Sequence, residues 1–155
     1  MKSREMLEDA QYALNLMDTE EDVRKIRILW VASITLVRGR GHVLDKVDAC
    51  QDTALRTKVD DWWRDLQRQK EEHPHIFWDF IDPQRNKTLK EYCLCFDEYC
   101  GPICVVDGLT GNADSFDLGS LYIPAHTMPY VGDDIRDLLK EAVEWWAKQL
   151  DFLSV

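Results

Sequence analysis

The sequence predicts a mainly α-helical fold, a bundle of four to five helices with a small β-rich insertion before the last helix, and three observations carry that expectation. Apolar residues recur at helical spacing through most of the chain. Asp and Thr residues suited to capping stand just ahead of those segments. Between about residues 93 and 132 the helical period fades and Gly and Pro collect. With 155 residues, 45% of them hydrophobic, the chain can bury one core, so a single domain over residues 1–155 is expected.

The first helix follows from Met6, Ala10, Ala13, Leu14 and Met17, and should break near Asp18 and Thr19. Thr19 is expected to cap the second helix, with Asp22 in its first turn. Val23, Ile26, Trp30, Ser33, Ile34 and Val37 form one face of that helix, and Leu29, Val31 and Leu36 add apolar surface elsewhere. Such a helix belongs at the centre of a bundle. Arg38-Gly39-Arg40-Gly41-His42 then interrupts the pattern, because each glycine costs about 1 kcal/mol relative to alanine in a helix. The glycines fit a neighbouring helix packed against them with His42 hydrogen-bonded in the seam, or a phosphate or other ligand held near Arg38, Arg40 and His42.

Asp52 and Thr53 offer a cap for a third helix carried by Leu55, Val59, Trp62, Trp63 and Leu66. His73-Pro74-His75 reads as a loop leading to a helix start, since two histidines without a third ligand make no metal site. Ile76, Phe77, Phe80 and Ile81 form a short apolar helical turn. Within the insertion, residues 103–106 and 118–123 read as short strands, with Asp107-Gly108 as a turn. Asp133 or Asp134 should cap the last helix, whose core face is Ile135, Leu138, Leu139, Ala142, Trp145 or Trp146, and Leu150.

No apolar run approaches the roughly 20 residues that span a bilayer, so no membrane partner is expected, and a start without a signal-like apolar stretch makes the cytoplasm the expected location. Five cysteines then read as reduced thiols. Four of them, Cys93, Cys95, Cys100 and Cys104, lie close together with His126 downstream. Their spacing is not that of a paired zinc knuckle, so buried small cysteines compete with a thiolate metal site. No cofactor is implied.

The net charge of −10 argues against nucleic acid as a partner, but its distribution is uneven. Residues 23–44 hold five bases, Arg24, Lys25, Arg27, Arg38 and Arg40, and no acid. Residues 91–139 hold nine acids and one base, Arg136. One end of the fold could face phosphate, or the two regions could pair with each other.

The stretch FIDPQRNKTLKEY, residues 80–92, concentrates the functional question. Asp82-Pro83 fits an N-cap and first helical residue, which places Arg85 in the first turn, where a cation opposes the helix dipole. Such an arginine is best explained by what it binds, either a carboxylate such as Asp79, Asp82 or Glu91 or a phosphate. Lys90 lies five residues on, about 140° around the helix.

Arg85-Asn86 near a helix start, within a bundle of long amphipathic helices, resembles the motif of the HEPN superfamily: Arg, a polar residue that is often Asn, three residues, then His. The segments LVRGRGHVLDKV (residues 36–47), 80–92 and GDDIRDLLKEAVEWWAKQL (residues 132–150) also resemble a group of uncharacterised bacterial proteins. The resemblance implies an α-helical fold, dimers in which two motifs form one cleft, and in some members a metal-independent endoribonuclease of toxin–antitoxin, CRISPR or phage-defence systems. It places Arg85 on the scissile phosphate and Asn86 beside it. Lys90 stands where the motif has His, and a lysine near its ordinary pKa of about 10.4 holds a phosphate rather than moving a proton. His42 is a candidate for the missing imidazole, and Arg38, Arg40 and Lys87 for further phosphate contacts. Two expectations follow: a non-catalytic or degenerate module binding RNA or a basic partner protein, and a metal-independent homodimeric endoribonuclease using Arg85, Asn86, Lys90 and His42.

Overall fold

The computed structural model describes residues 1–72, 74–97, 103–116 and 122–154, and the expected helical bundle is what it shows. Among the described residues, five α-helices enclose one hydrophobic core: α1 Lys2–Asp18, α2 Val23–Val43, α3 Thr53–Arg68, α4 Asp82–Glu91 and α5 Ile135–Leu153. A two-stranded hairpin, β1 Ile103–Val106 and β2 Ala113–Phe116, lies in the chain between α4 and α5.

α1 buries Leu7, Ala10, Ala13, Leu14 and Met17, the expected stripe. Its first N–H groups have no cap from their own segment. The Asp48 carboxylate accepts from the backbone N–H of Lys2 (3.0 Å) and Ser3 (2.9 Å) instead. Burial would raise the pKa of that carboxyl, and the bonds from Ser3 and Lys2 outweigh it and hold the group below its usual range.

α2 buries Ile26, Trp30, Ser33, Ile34 and Val37 and runs through both glycines. Asp22, not Thr19, is its N-cap, accepting from Arg24 and Lys25 N–H, while Thr19 ends α1. The glycines have packing reasons. A Cβ on Gly39 would meet the flexible end of Met6 at 2.9 Å, and one on Gly41 would lie 3.2 Å from the Trp146 ring. The helix then loosens into a π-helical turn, Leu44–Asp48, and a 3₁₀ turn, Ala49–Gln51. Asp52 caps α3 as expected, and Leu55, Val59, Trp62 and Leu66 face inward.

The turn Ile76–Ile81 is π-helical and buries Ile76, Phe77, Phe80 and Ile81. His75 opens it, with Nδ1 accepting from Phe77 N–H (3.2 Å), while His73 lies outside the described residues. The chain enters α4 from this turn without leaving helical conformation, so Asp82 is not an N-cap and makes no cap bond. Arg85 accordingly does not stand at a free helix N-terminus.

In the hairpin, β1 is as expected and β2 begins earlier than the expected strand at 118–123, of which residues 118–121 lie outside the described residues. The turn sets the difference. The Asp107 carboxylate accepts from Leu109 and Thr110 N–H, and Gly111 takes φ 72°, so the chain has already reversed when Asp107 N–H bonds the Asn112 carbonyl. Ala113 then pairs with Val106.

Asp134 caps α5 through Arg136 N–H (2.8 Å) and also holds the Arg136 side chain. Of the two neighbouring tryptophans, Trp146 is fully buried and Trp145 partly so. Among the described residues, no helix is long and apolar enough to cross a membrane.

Candidate functional site

The two sequence motifs meet at Asp82. Arg38 on α2 donates from Nε to Asp82 Oδ1, and Asn86, one turn along α4, donates from Nδ2 to Asp82 Oδ2 (3.2 Å). Arg85 Nη1 in turn donates to Asn86 Oδ1 (3.0 Å). The result is a relay, Arg38 to Asp82 to Asn86 to Arg85, in which Asn86 is held from both sides. The relay also shows what Arg85 binds: not Asp79, Asp82 or Glu91, but a neutral amide. Asp79 is turned to His75 N–H (2.7 Å) instead.

Arg85 is half-buried, and Lys87 and Lys90 are exposed. Among the described residues none of the three has a carboxylate partner. The outer part of α4 therefore carries, among the described residues, three bases without an ion pair beside one exposed acid, Glu91, on a chain of net charge −10.

The cations of α2 have other surroundings. Arg38 lies over the Phe77 ring, 5.4 Å from its centroid. Arg40 is fully buried, so it is not the surface phosphate contact its sequence neighbourhood suggested. Two residues along a helix turn a side chain about 200°, which carries Arg40 to the side opposite Arg38. There it lies 5.3 Å from the Trp146 ring centroid and donates from Nη2 to the Met6 carbonyl (3.4 Å). Its Nε and Nη1 have no hydrogen-bond partner. Burial lowers its pKa to about 9.

His42 is exposed and among the described residues makes no hydrogen bond, so it is not the seam histidine that helix packing would provide. It shares the face of Arg38 one turn on, and both line a cavity of about 270 Å³. Sequence reasoning missed the rest of that cavity: Asp45, Arg56 and Asp60 on one wall, with Trp62, Trp63, Phe77 and Trp146 as apolar lining. The Arg56–Asp60 spacing of four on a helix was the legible part. The wall is closed on itself. Arg56 donates to both carboxylates and to the Asp45 carbonyl (2.9 Å), and Asp60, then Asp45, raise its pKa. Lys46 holds the Asp45 carboxyl below its usual range, against burial and with the help of Arg56.

Cys93 is exposed and Cys95 buried; Cys100 and the Cys104 side chain lie outside the described residues. Burial pushes the Cys95 thiol up to about 12, which favours a protonated packing residue over a metal-binding thiolate. His126 stands 3.9 Å from Asp97 instead, and among the described residues no group of three metal-ligating side chains converges.

The arrangement can hold an anion on α4 and enclose a small group between α2, α3 and α5. No family model, curated protein or solved structure matches the chain.

Proposed function

We propose that the chain is a degenerate, non-catalytic HEPN-like helical module that binds RNA or a partner protein through the outer face of α4, in a setting such as toxin–antitoxin or phage defence. The observation that carries this reading is the use made of the motif residues. Asn86 is engaged by Asp82 and Arg85, and an exposed lysine, Lys90, occupies the place of the proton-transfer histidine. What remains suits holding phosphate: Arg85, Lys87 and Lys90 lack carboxylate partners among the described residues, and arginine and lysine both donate to phosphate oxygens. A homodimer would bring two such faces together.

The test is binding and cleavage of a labelled single-stranded RNA in the presence of a chelator, with sedimentation to report the oligomer. The expected outcome is salt-dependent binding without cleavage, weakened in Arg85→Ala with the fold intact. Absence of RNA binding together with loss of thermal stability in Arg85→Ala would leave the motif a structural element and sink the RNA arm. The second reading, a metal-independent homodimeric endoribonuclease, is favoured by one observation: the exposed His42 lies one turn from Arg38, which is tied to the α4 relay. It requires cleavage in chelator that both Arg85→Ala and His42→Ala abolish.

A further inference from the structure

The cavity between α2, α3 and α5 has hydrogen-bonding capacity left over, and on the α2 side that capacity is donors. In the Asp45–Arg56–Asp60 wall every nitrogen of Arg56 donates, Asp45 takes Lys46 as well, and Asp60 is bonded through Oδ1. Arg38 differs, since it spends Nε on Asp82 and among the described residues neither terminal amino group has a partner. Asp82 and the Phe77 ring fix its guanidinium in place, so the free donors are pre-positioned and little side-chain entropy remains to be lost. The unbonded imidazole of His42 stands one turn away on the same face.

Next to these donors lies an aromatic lining. Trp62 packs on Trp63 (6.1 Å between centroids) and on Trp146 (5.7 Å), and Phe77 meets Trp63 edge-on (6.1 Å). Mutual contact holds the rings in place, so the lining is preformed. Gly41 belongs to the design, because it lets Trp146 approach α2 at the cavity. A concave, mostly apolar site with a few converging polar groups is the usual form of a small-molecule site.

We propose that this cavity binds a small planar aromatic anion, with the ring against Trp63, the one ring of the lining that is only partly buried, and the carboxylate or phosphate on Arg38 and His42. A cation would compete with Arg56 for both wall carboxylates. A ring-free anion would leave the accessible part of Trp63 in contact with water. The proposal is independent of RNA binding by α4, and substitution of Lys87 or Lys90 leaves it intact.

The experiment titrates the whole chain with indole-3-carboxylate and, separately, with 3-indoxyl phosphate, following the indole N–H resonances of the protein. Neutral indole, acetate and inorganic phosphate are the comparison ligands. Saturable shifts are expected from at least one aryl anion, with affinity about tenfold or more above the comparison ligands, and the responding arm tells carboxylate from phosphate. His42→Ala, at an exposed position, and Arg38→Met should each weaken binding about tenfold while retaining the wild-type circular dichroism. Arg38→Met that fails to fold transfers the decision to His42→Ala. No saturable shift at millimolar aryl anion, equal binding of neutral indole, or wild-type affinity in folded His42→Ala would overturn the proposal.

Discussion

The end of α2 and the length of α4 are both short basic stretches with polar or glycine neighbours, yet the fold treats their charge in opposite ways. On α2, Arg38 is paired with Asp82 and Arg40 is sealed inside the bundle. On α4, Lys87 and Lys90 stay on the surface, and Arg85 meets an amide rather than a carboxylate. Sequence spacing alone does not separate these cases. What separates them is which side of the helix the bundle covers: α2 is central and buried on several sides, whereas α4 turns Gln84 and Thr88 inward and leaves its long cations outside. Charge at Arg40 is therefore sealed in, Arg38 keeps only its terminal amino groups for the cavity, and the lysines of α4 face solvent.

The largest effect should come from the ring on which the central region depends. Trp146 is fully buried, lines the cavity and lies under Arg40. Trp146→Ala should cost about 3–5 kcal/mol of unfolding free energy in urea denaturation. A loss below about 1 kcal/mol would mean that the centre repacks freely and that the contrast with α4 is overdrawn.

Arg40 gives the next effect, of opposite sign. Its guanidinium is buried without a carboxylate partner, with Nε and Nη1 unbonded. Replacing it by an apolar side chain of similar length removes a desolvation cost, and Arg40→Met should raise stability by about 2 kcal/mol at neutral pH. The pH dependence follows from the same burial. The folded pKa, about 9, lies well below the ordinary arginine value, so between the two the unfolded chain binds more protons and wild-type stability rises with pH. The advantage of Arg40→Met is thus full below about 9 and narrows as the pH climbs through it. A constant or widening advantage would assign the gain to packing instead of charge.

These placements explain what was legible in the sequence. Periodicity located α1, α2, α3 and α5 and most of the core, because the apolar stripes of α1, α3 and α5 coincide with what is buried, whereas α4, which buries Gln84 and Thr88, was legible only through Asp82-Pro83. Periodicity also found Trp30 and its neighbours on α2. Caps were legible where a single Asp bonds the N–H groups just after it, as at Asp52 and Asp134. The reading failed where the backbone partner was remote or unnecessary. Asp48 caps α1 from 45 residues away, and Asp82 has no cap to make because the π-helical turn before it is already helical. For the site, Arg85-Asn86 stood out as a pair, but their connection to Arg38 is tertiary and left no pattern in the sequence. The cavity was still less visible, since Trp62, Trp63, Phe77 and Trp146 read as core and nothing in their spacing indicates that they leave space.

The pair that joins the two regions should contribute less than either of the preceding changes. The Arg38 and Asp82 side chains are 29% and 27% exposed, so solvent screens their attraction. A double-mutant cycle with Arg38→Met and Asp82→Asn should give a coupling of about 1 kcal/mol. Asp82→Asn should also free Asn86, and with it the orientation of Arg85. Zero coupling would mean that the relay is a contact without energetic content, and that α4 is positioned by the buried turn Ile76–Ile81 alone.

The smallest effect on stability, and the most telling for function, belongs to the lysines. Lys87 and Lys90 are exposed and among the described residues have no ion pair, so Lys87→Ala and Lys90→Ala should each change unfolding free energy by less than about 0.5 kcal/mol. If phosphate meets this face, each substitution should lower the slope of log affinity against log salt by about one and weaken RNA binding similarly for unrelated sequences. Lys90→His sharpens the same point. It supplies an imidazole at the motif's third position, and RNA cleavage appearing in that variant alone would show that the departure at this residue is what separates holding a phosphate from cutting beside it. A variant that binds as before and still does not cut would place the obstacle in Asn86, which Asp82 and Arg85 already hold.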